Sequence, residues 1–295
     1  MSSYLQVMSS YSLLFVSSFQ TDMERLPEDC ITHILSFGSP RDACRSMVLA
    51  SIFKNAAESE VLWEKFLPPD YQEILSKSVC PMTYKSKKDL FYKLSSLLLI
   101  DGGLKAFSID KATGKKCYML SARELYIAWS ANPLFWYWKP VIESRFSECV
   151  ELIMTSCLKV EGKISTRILS PNTMYRACLI VQVAHHRAYG LDVLPFEVLV
   201  EVGDFRSRGT ILLSHSERSK RSFEHPEKDL NLTYNKEDVS RVCRQRNDGW
   251  LEIELGEFYN EGFGEKEVKM SLREVDGVHL KGGLLVEGIE ITPVS

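Results

Sequence analysis

The spacing of apolar residues changes at Gly102-Gly103, and that change decides what this 295-residue chain can fold into. Before it, apolar residues recur at helical intervals. In LPEDCITHILSFGSPRDACRSMV, Ile31, Ile34 and Leu35 fall at i, i+3 and i+4, one face of a helix. Pro27 suits a first helical turn, with Glu28 and Asp29 behind it at the positive end of the helix dipole. Gly38 ends that helix, and Ser39-Pro40 opens a second as N-cap and first helical residue. A third short helix is predicted over 54–66, and Pro68-Pro69 closes a block spanning 22–70. Residues 71–100 read as a Lys-rich helical linker.

Beyond Gly102-Gly103 the segments are short and separated by Gly, Pro, Asn and Asp. LKAFSID and KKCYMLS flank KATG as a β-hairpin. Further strands are predicted over 150–160, 175–184, 196–202, 210–213, 249–255, 268–273 and 284–291. Several short strands at regular spacing suggest an all-β sandwich or a barrel. The fold class is therefore α+β and multidomain, a helical block followed by a β domain over 101–295.

Composition narrows the function. The chain is 45% hydrophobic and 25% charged, ordinary for a soluble globular protein. Thirty-six Lys plus Arg against 39 Asp plus Glu give a net charge of -3, so bulk charge does not point to nucleic acid. The longest apolar cluster, Leu97 to Ile100, is far too short to span a membrane. Residues 1–21 carry only a weak apolar patch, Leu13 to Val16, with no Lys or Arg before it; they read as a disordered, serine-rich extension rather than a signal peptide. Residues 206–246 hold ten Lys plus Arg against six Asp plus Glu and read as a long solvated loop. The eight cysteines are scattered without a CxxC pair, so no metal site and no disulfide framework is expected. They read as reduced thiols of a cytoplasmic or nuclear protein. The sequon Asn231-Leu232-Thr233 is then inert.

Two longer patterns are more specific. LPEDCITHILSF followed by SPRDACRSMVLASIFKNAAESEVLWEKF resembles an F-box. The features that carry the resemblance are Leu26-Pro27, the Ile31/Ile34/Leu35 face, Asp42, Val48, Phe53 and Leu62-Trp63; Ala43 departs from the larger aliphatic residue usual there. The resemblance implies a three-helix module that docks on a Skp-type adaptor and, through it, a cullin scaffold. The implied adaptor-binding residues are Leu26, Pro27, Ile31, Ile34, Leu35, Val48, Leu62 and Trp63. A module of about forty residues cannot bury all its apolar surface, which suits a docking role.

GLKAFSIDKATGKKCYMLSARELYIAW, FWYW, SRFSECVELI, RNDGWLEIELGEFYN and GGLLVEGIEITPV resemble the phloem-protein, Nictaba-type lectin domain of plants. This resemblance implies a mainly β, jelly-roll-like sandwich with chitin-type oligosaccharides or N-glycan cores as ligands. The family's two tryptophans seven residues apart match Trp129 and Trp136. An indole face suits a pyranose, whose C–H groups form an apolar, slightly positive plane. Polar groups must then fix orientation, and Glu252 and Glu254 are the candidates. Core packing competes for the tryptophans, because Trp136, Tyr137 and Trp138 are consecutive and alternate in direction on a strand. Trp250 reads as core.

Other constellations carry less. The Glu252/Glu254 pair could suggest a glycosidase, but alternation places many glutamates this way. His185-His186 point to opposite faces if extended, and Gly262-Phe263-Gly264 lacks the strand–turn–helix setting of a nucleotide site. No cofactor is expected. The chain reads as a non-catalytic substrate receptor of a Skp-cullin-F-box ubiquitin ligase, recruiting glycosylated or unglycosylated protein targets. The alternative is a carbohydrate-binding defence lectin, or a protein-interaction module whose sugar site has decayed.

Overall fold

A computed structural model describes residues 26–184, 187–213, 241, 243–274, 277 and 279–294. The extension expected over 1–21, the pair His185-His186 and most of the loop expected over 206–246 lie outside them. The chain divides into two compact units. The first holds, of the described residues, 26–72, 82–96 and 109–114; the second holds 73–81, 97–108 and those from 115 onward. The segment expected as a linker over 71–100 is thus shared between the two units.

Among the described residues, six helices occupy the amino-terminal region: α1 (Glu28–Leu35), α2 (Pro40–Ser46), α3 (Ser51–Glu58), α4 (Glu60–Phe66), α5 (Tyr71–Ser76) and α6 (Lys87–Leu94). The sequence starts α2 unambiguously. Ser39 accepts from the Asp42 amide and the Asp42 carboxylate accepts from the Ser39 amide, a reciprocal capping box with Pro40 in the first turn. Those hydrogen bonds hold the Asp42 carboxyl below its usual range. The third helix predicted over 54–66 is two helices, α3 and α4, because Ser59 takes an extended ψ of 131° and breaks the ladder. In this unit Ile31, Phe53 and Ala56 form one apolar cluster, against which Leu26, Leu35, Ala50 and Ile52 pack. Trp63 lies fully buried, with Phe66, Phe91 and Tyr92 at ring distances of 5.7, 5.1 and 5.7 Å. Its indole N–H donates to the Ala57 carbonyl at 2.7 Å. Helix α6 therefore completes the core that α4 begins, and Lys88–Glu58 and Lys87–Glu64 ion pairs fasten its first turn.

The second unit is a sandwich of two antiparallel sheets, with fourteen strands among the described residues. The strands are β1 (Leu98–Ile100), β2 (Lys105–Ile109), β3 (Lys116–Ser121), β4 (Tyr126–Ile127), β5 (Trp136–Lys139), β6 (Cys149–Leu152) and β7 (Leu158–Ser165). They continue with β8 (Thr173–Val183), β9 (Phe196–Val202), β10 (Phe205–Ile211), β11 (Cys243–Gln245), β12 (Leu251–Asn260), β13 (Glu267–Glu274) and β14 (Leu284–Pro293). One sheet runs β1-β2-β3-β14-β8-β12-β11, with β6 also on β14 and β5 on β6; the other runs β10-β9-β13-β7-β4. The hairpin predicted around KATG is β2–β3. The strand predicted over 150–160 is two, β6 and β7, which belong to different sheets; the chain crosses between them at 153–157. Alternation is clearest in β9, whose Phe196, Val198, Val200 and Val202 are buried while the residues between them are not.

A bulge in β14 re-aims a side chain. In β14 the pairing with β8 shifts between Val286 and Gly288, leaving Glu287 as the extra residue. Position 288 must be glycine, because a Cβ there would collide with the Leu120 carbonyl. Glu287 is 0% exposed and accepts from the Ser144 hydroxyl, the Arg145 amide and the Arg145 guanidinium, the last at 2.7 Å. Burial pushes its carboxyl up, and Arg145 opposes that. The same arginine pairs with Asp248 at 3.0 Å. This clasp holds the loop over 140–148 onto the sheet, where Phe146 covers Trp250, Cys149, Cys178 and Ile180.

Candidate functional site

Each unit offers one surface. In the helical unit, the eight residues expected to bind an adaptor separate by burial. Ile31, Leu62 and Trp63 have no exposed surface, so they are core residues of this unit. Leu26 and Leu35 are half-buried at the edge of that core, and Pro27 is exposed. Ile34 (46%) and Val48 (86%) present apolar side chains to solvent, and so do three residues the sequence reading missed: Phe37 (78%), Leu49 (57%) and Val61 (63%). Phe37 lies past the end of α1, where helical periodicity no longer predicts a face. Its ring sits 4.8 Å from that of His33, edge to face. That much exposed large apolar surface on one small unit is what a docking role would use.

In the β unit the two tryptophans take different roles. Trp136, on β5, is 2% exposed; its indole N–H donates to the Ala128 carbonyl at 2.9 Å. Trp138 donates likewise to the Ser130 carbonyl at 3.0 Å. The two indoles thus hold the carbonyls of the residues before and after Trp129. Trp129 itself is 64% exposed and has a φ of 66°. That left-handed conformation is uncommon for a bulky side chain and persists only where the surroundings enforce it. The Trp136 and Trp138 bonds, together with an Asn132 amide that donates to the Trp129 carbonyl at 2.9 Å, supply that enforcement. Phe135 stands 6.2 Å away, inclined at 55°, and Leu134 beside it is exposed. Trp129 is therefore a rigidly mounted outward indole, and Trp136 is part of its mount.

This division makes a stability prediction. Trp136→Ala should destabilise the protein by about 3–5 kcal/mol, the usual cost of emptying a core aromatic site. Trp129→Ala should change stability by about 0.5 kcal/mol or less, as for an exposed side chain. Urea melts of the two variants measure the difference; equal losses would contradict it.

Glu252 and Glu254 do not join the tryptophans. Both stand on β12, and the ladder from β5 to β12 passes through β6, β14 and β8. Four strand spacings put them about 19 Å from Trp136 along the sheet. Both are committed to ion pairs: Glu254 with Arg241 at 2.8 Å, Glu252 with Arg246 at 3.7 Å. Glu252 also accepts from the Cys178 thiol at 3.4 Å. The residues form a charged ladder across the strands rather than a pair of free acids. Arg176 belongs to it too, at 2.7 Å from Glu257. The side chains linked to the segment carrying Trp129 that the sequence reading missed are Trp138 and Arg123. The Arg123 guanidinium lies 3.6 Å over the Trp138 ring and pairs with Glu148 at 2.6 Å. Their signal in the sequence was the WYW run, read there only as alternation.

Burial holds the Cys149 thiol up at about 11 and raises Cys178 further, so both are protonated at neutral pH and poor nucleophiles. Among the described residues, no group of three His, Cys, Asp or Glu side chains is placed to hold a metal ion. Nor is any of their helices long and apolar enough to cross a membrane.

Comparison with known proteins agrees with these two units. The F-box domain family model matches residues 23–65, and the phloem protein 2 model matches residues 115–293. The Arabidopsis thaliana F-box protein PP2-B15 is 44% identical over 280 residues, covering 91% of this chain and 96% of that protein. F-box protein VBF and F-box protein PP2-B13 of the same plant are 43% and 42% identical; each match covers 92% of this chain and 99% of the relative. Helices α1 to α4 fill the F-box match, and strands β3 to β14 fill the phloem protein 2 match. The chain belongs to the phloem protein 2 family, in the form that carries an amino-terminal F-box domain.

Proposed function

We propose that this protein is a substrate adaptor of a Skp-cullin-F-box ubiquitin ligase, working in the cytoplasm or nucleus. The helical unit docks on a Skp-type adaptor and through it a cullin, and the β unit captures the target. The observation that carries the first half is the apolar side chains left outside a completed core, Ile34, Phe37 and Val48 above all. Docking would bury them, as a hot-spot cluster does. The chain itself performs no chemistry in this reading. It raises the effective concentration of target lysines near the charged ubiquitin carrier.

Trp129 supports the second half. A rigid outward indole loses little conformational freedom on binding, and its face suits the apolar plane of a pyranose. Glycosylated proteins are therefore the target class, with N-acetylglucosamine oligomers or N-glycan cores as the recognised element. A carbohydrate-binding lectin acting without a ligase is the second reading, and it rests on the same exposed tryptophan.

Affinity purification of the full chain under proteasome inhibition, beside a Trp129→Ala variant, tests the capture half. The wild type should co-purify the adaptor together with glycoproteins. The variant should keep the adaptor and lose the glycoproteins. Identical protein sets from both would remove Trp129 from target capture.

A further inference from the structure

Trp129 offers an apolar face, but a sugar also needs donors and acceptors that fix its hydroxyl groups. The glutamates expected for that work sit about 19 Å away along the sheet and are tied to arginines. Two other side chains are better placed. Trp138 bonds to the carbonyl of Ser130, the residue after Trp129, so its indole borders the mount of Trp129. The Arg123 guanidinium covers the Trp138 ring at 3.6 Å. Glu148 fixes the guanidinium by accepting from both Nε, at 3.0 Å, and Nη2, at 2.6 Å, through the single oxygen Oε2.

That geometry leaves capacity unused. Arg123 Nη1 and Glu148 Oε1 have no hydrogen-bond partner among the described residues. Both side chains are substantially exposed, 44% and 40%. An unused donor and an unused acceptor, held by stacking and by each other, are linked through the Trp138 ring to the segment that carries the outward Trp129 indole. Vicinal hydroxyls of a pyranose give and accept hydrogen bonds in that combination, while the ring's C–H face covers the indole. A purely apolar partner would leave both charged groups to be desolvated without compensation.

We propose that Arg123 and Glu148 form the polar half of a carbohydrate site whose apolar half is Trp129, with Trp138 as the positioning residue between them. This rests on the reading of Trp129 as the capture residue. The site takes an oligosaccharide of two or three pyranose rings. One ring stacks on Trp129, and a neighbouring ring places adjacent hydroxyls between Arg123 Nη1 and Glu148 Oε1. Glu148 and Arg123 then set which hydroxyl pattern is accepted, because an unpaired charge is left whenever a hydroxyl is missing.

Calorimetric titration of the full chain with triacetylchitotriose tests it, using Trp129→Ala, Arg123→Gln and Glu148→Gln beside the wild type. Trp129→Ala should abolish binding. Each polar variant should weaken it about tenfold or more, the scale for a hydrogen bond to a charged group. Melting temperatures of the polar variants should stay at the wild-type value. Monodeoxy analogues of the trisaccharide separate contact from scaffolding. If Glu148 touches a hydroxyl, its variant loses nothing further against the analogue lacking that hydroxyl. A uniform loss against every analogue would assign Arg123 and Glu148 a structural role and overturn the proposal. Loss of binding by Trp129→Ala alone, with both polar variants unaffected, would also overturn it while leaving Trp129 as the capture residue. No binding by the wild type would sink both.

Discussion

Trp63→Ala is expected to unfold the helical unit or bring it to the edge of unfolding. Truncating a buried tryptophan costs about 3–5 kcal/mol, against a total stability of about 5–15 kcal/mol for a typical domain. This site stands at the upper end, because three aromatic rings from α4 and α6 close on one indole. The substitution also leaves the Ala57 carbonyl without its 2.7 Å partner. Adaptor capture should disappear with the fold and not through any lost contact. Proteolysis of the variant should therefore release the helical unit while the β unit stays resistant. A folded, protease-resistant Trp63→Ala protein that still fails to bind adaptor would return Trp63 to the docking face.

Glu287→Ala should cost a similar amount in the other unit. Glu287 is 0% exposed and holds Arg145, whose side chain is 17% exposed, at 2.7 Å. Removing one member of a buried ion pair strands its partner, at about 3–5 kcal/mol. The loop over 140–148 loses three hydrogen bonds at once, from Ser144 and Arg145. The Trp250 indole, which donates to the Glu143 carbonyl in that loop, should report the change by fluorescence during urea unfolding. Glu287→Gln keeps the side chain's shape and an acceptor, so it should fall between wild type and Glu287→Ala. An unchanged midpoint for Glu287→Ala would mean that Phe146 and Val141 hold the loop by packing alone.

Both residues mark the limit of what the sequence discloses. Local chemistry was legible. Ser39-Pro40 with Asp42 starts α2, KATG turns the β2–β3 hairpin, and alternation in β9 gives its buried face. These signals act within a few residues, where steric and hydrogen-bond rules are strong. What stayed hidden depends on partners far along the chain. The F-box resemblance puts Trp63 on the docking face, whereas its burial comes from Phe91 and Tyr92 on α6, outside that pattern. Glu287 gave no sign, since a bulge is set by how β14 meets β8 and β3 together.

The carbohydrate candidates divide along the same line. Trp129 and Trp136 share a residue type and were paired by spacing, yet one is outward and the other is its support. Only the carbonyls of Ala128 and Ser130, gripped from β5, distinguish them. Glu252 and Glu254 are candidates in the sequence as acidic groups of the carboxy-terminal region that could accept from sugar hydroxyls. Which strand lies beside which is a property of sheet order, and that order separates β12 from β5 by three intervening strands.

The docking face is the most direct point of test. Full-length protein carrying Phe37→Asp and Val48→Asp should be compared with wild type for binding a purified Skp-type adaptor by surface plasmon resonance. Both positions are exposed, at 78% and 86%, so the charges are tolerated in the free protein and its melting temperature should not move. At the centre of an interface each truncation or charge costs about 2 kcal/mol or more, so the account predicts at least a thirtyfold loss of affinity for the folded double variant. Wild-type affinity in that variant would contradict the assignment of this surface to adaptor docking, and with it the proposed role in a ubiquitin ligase.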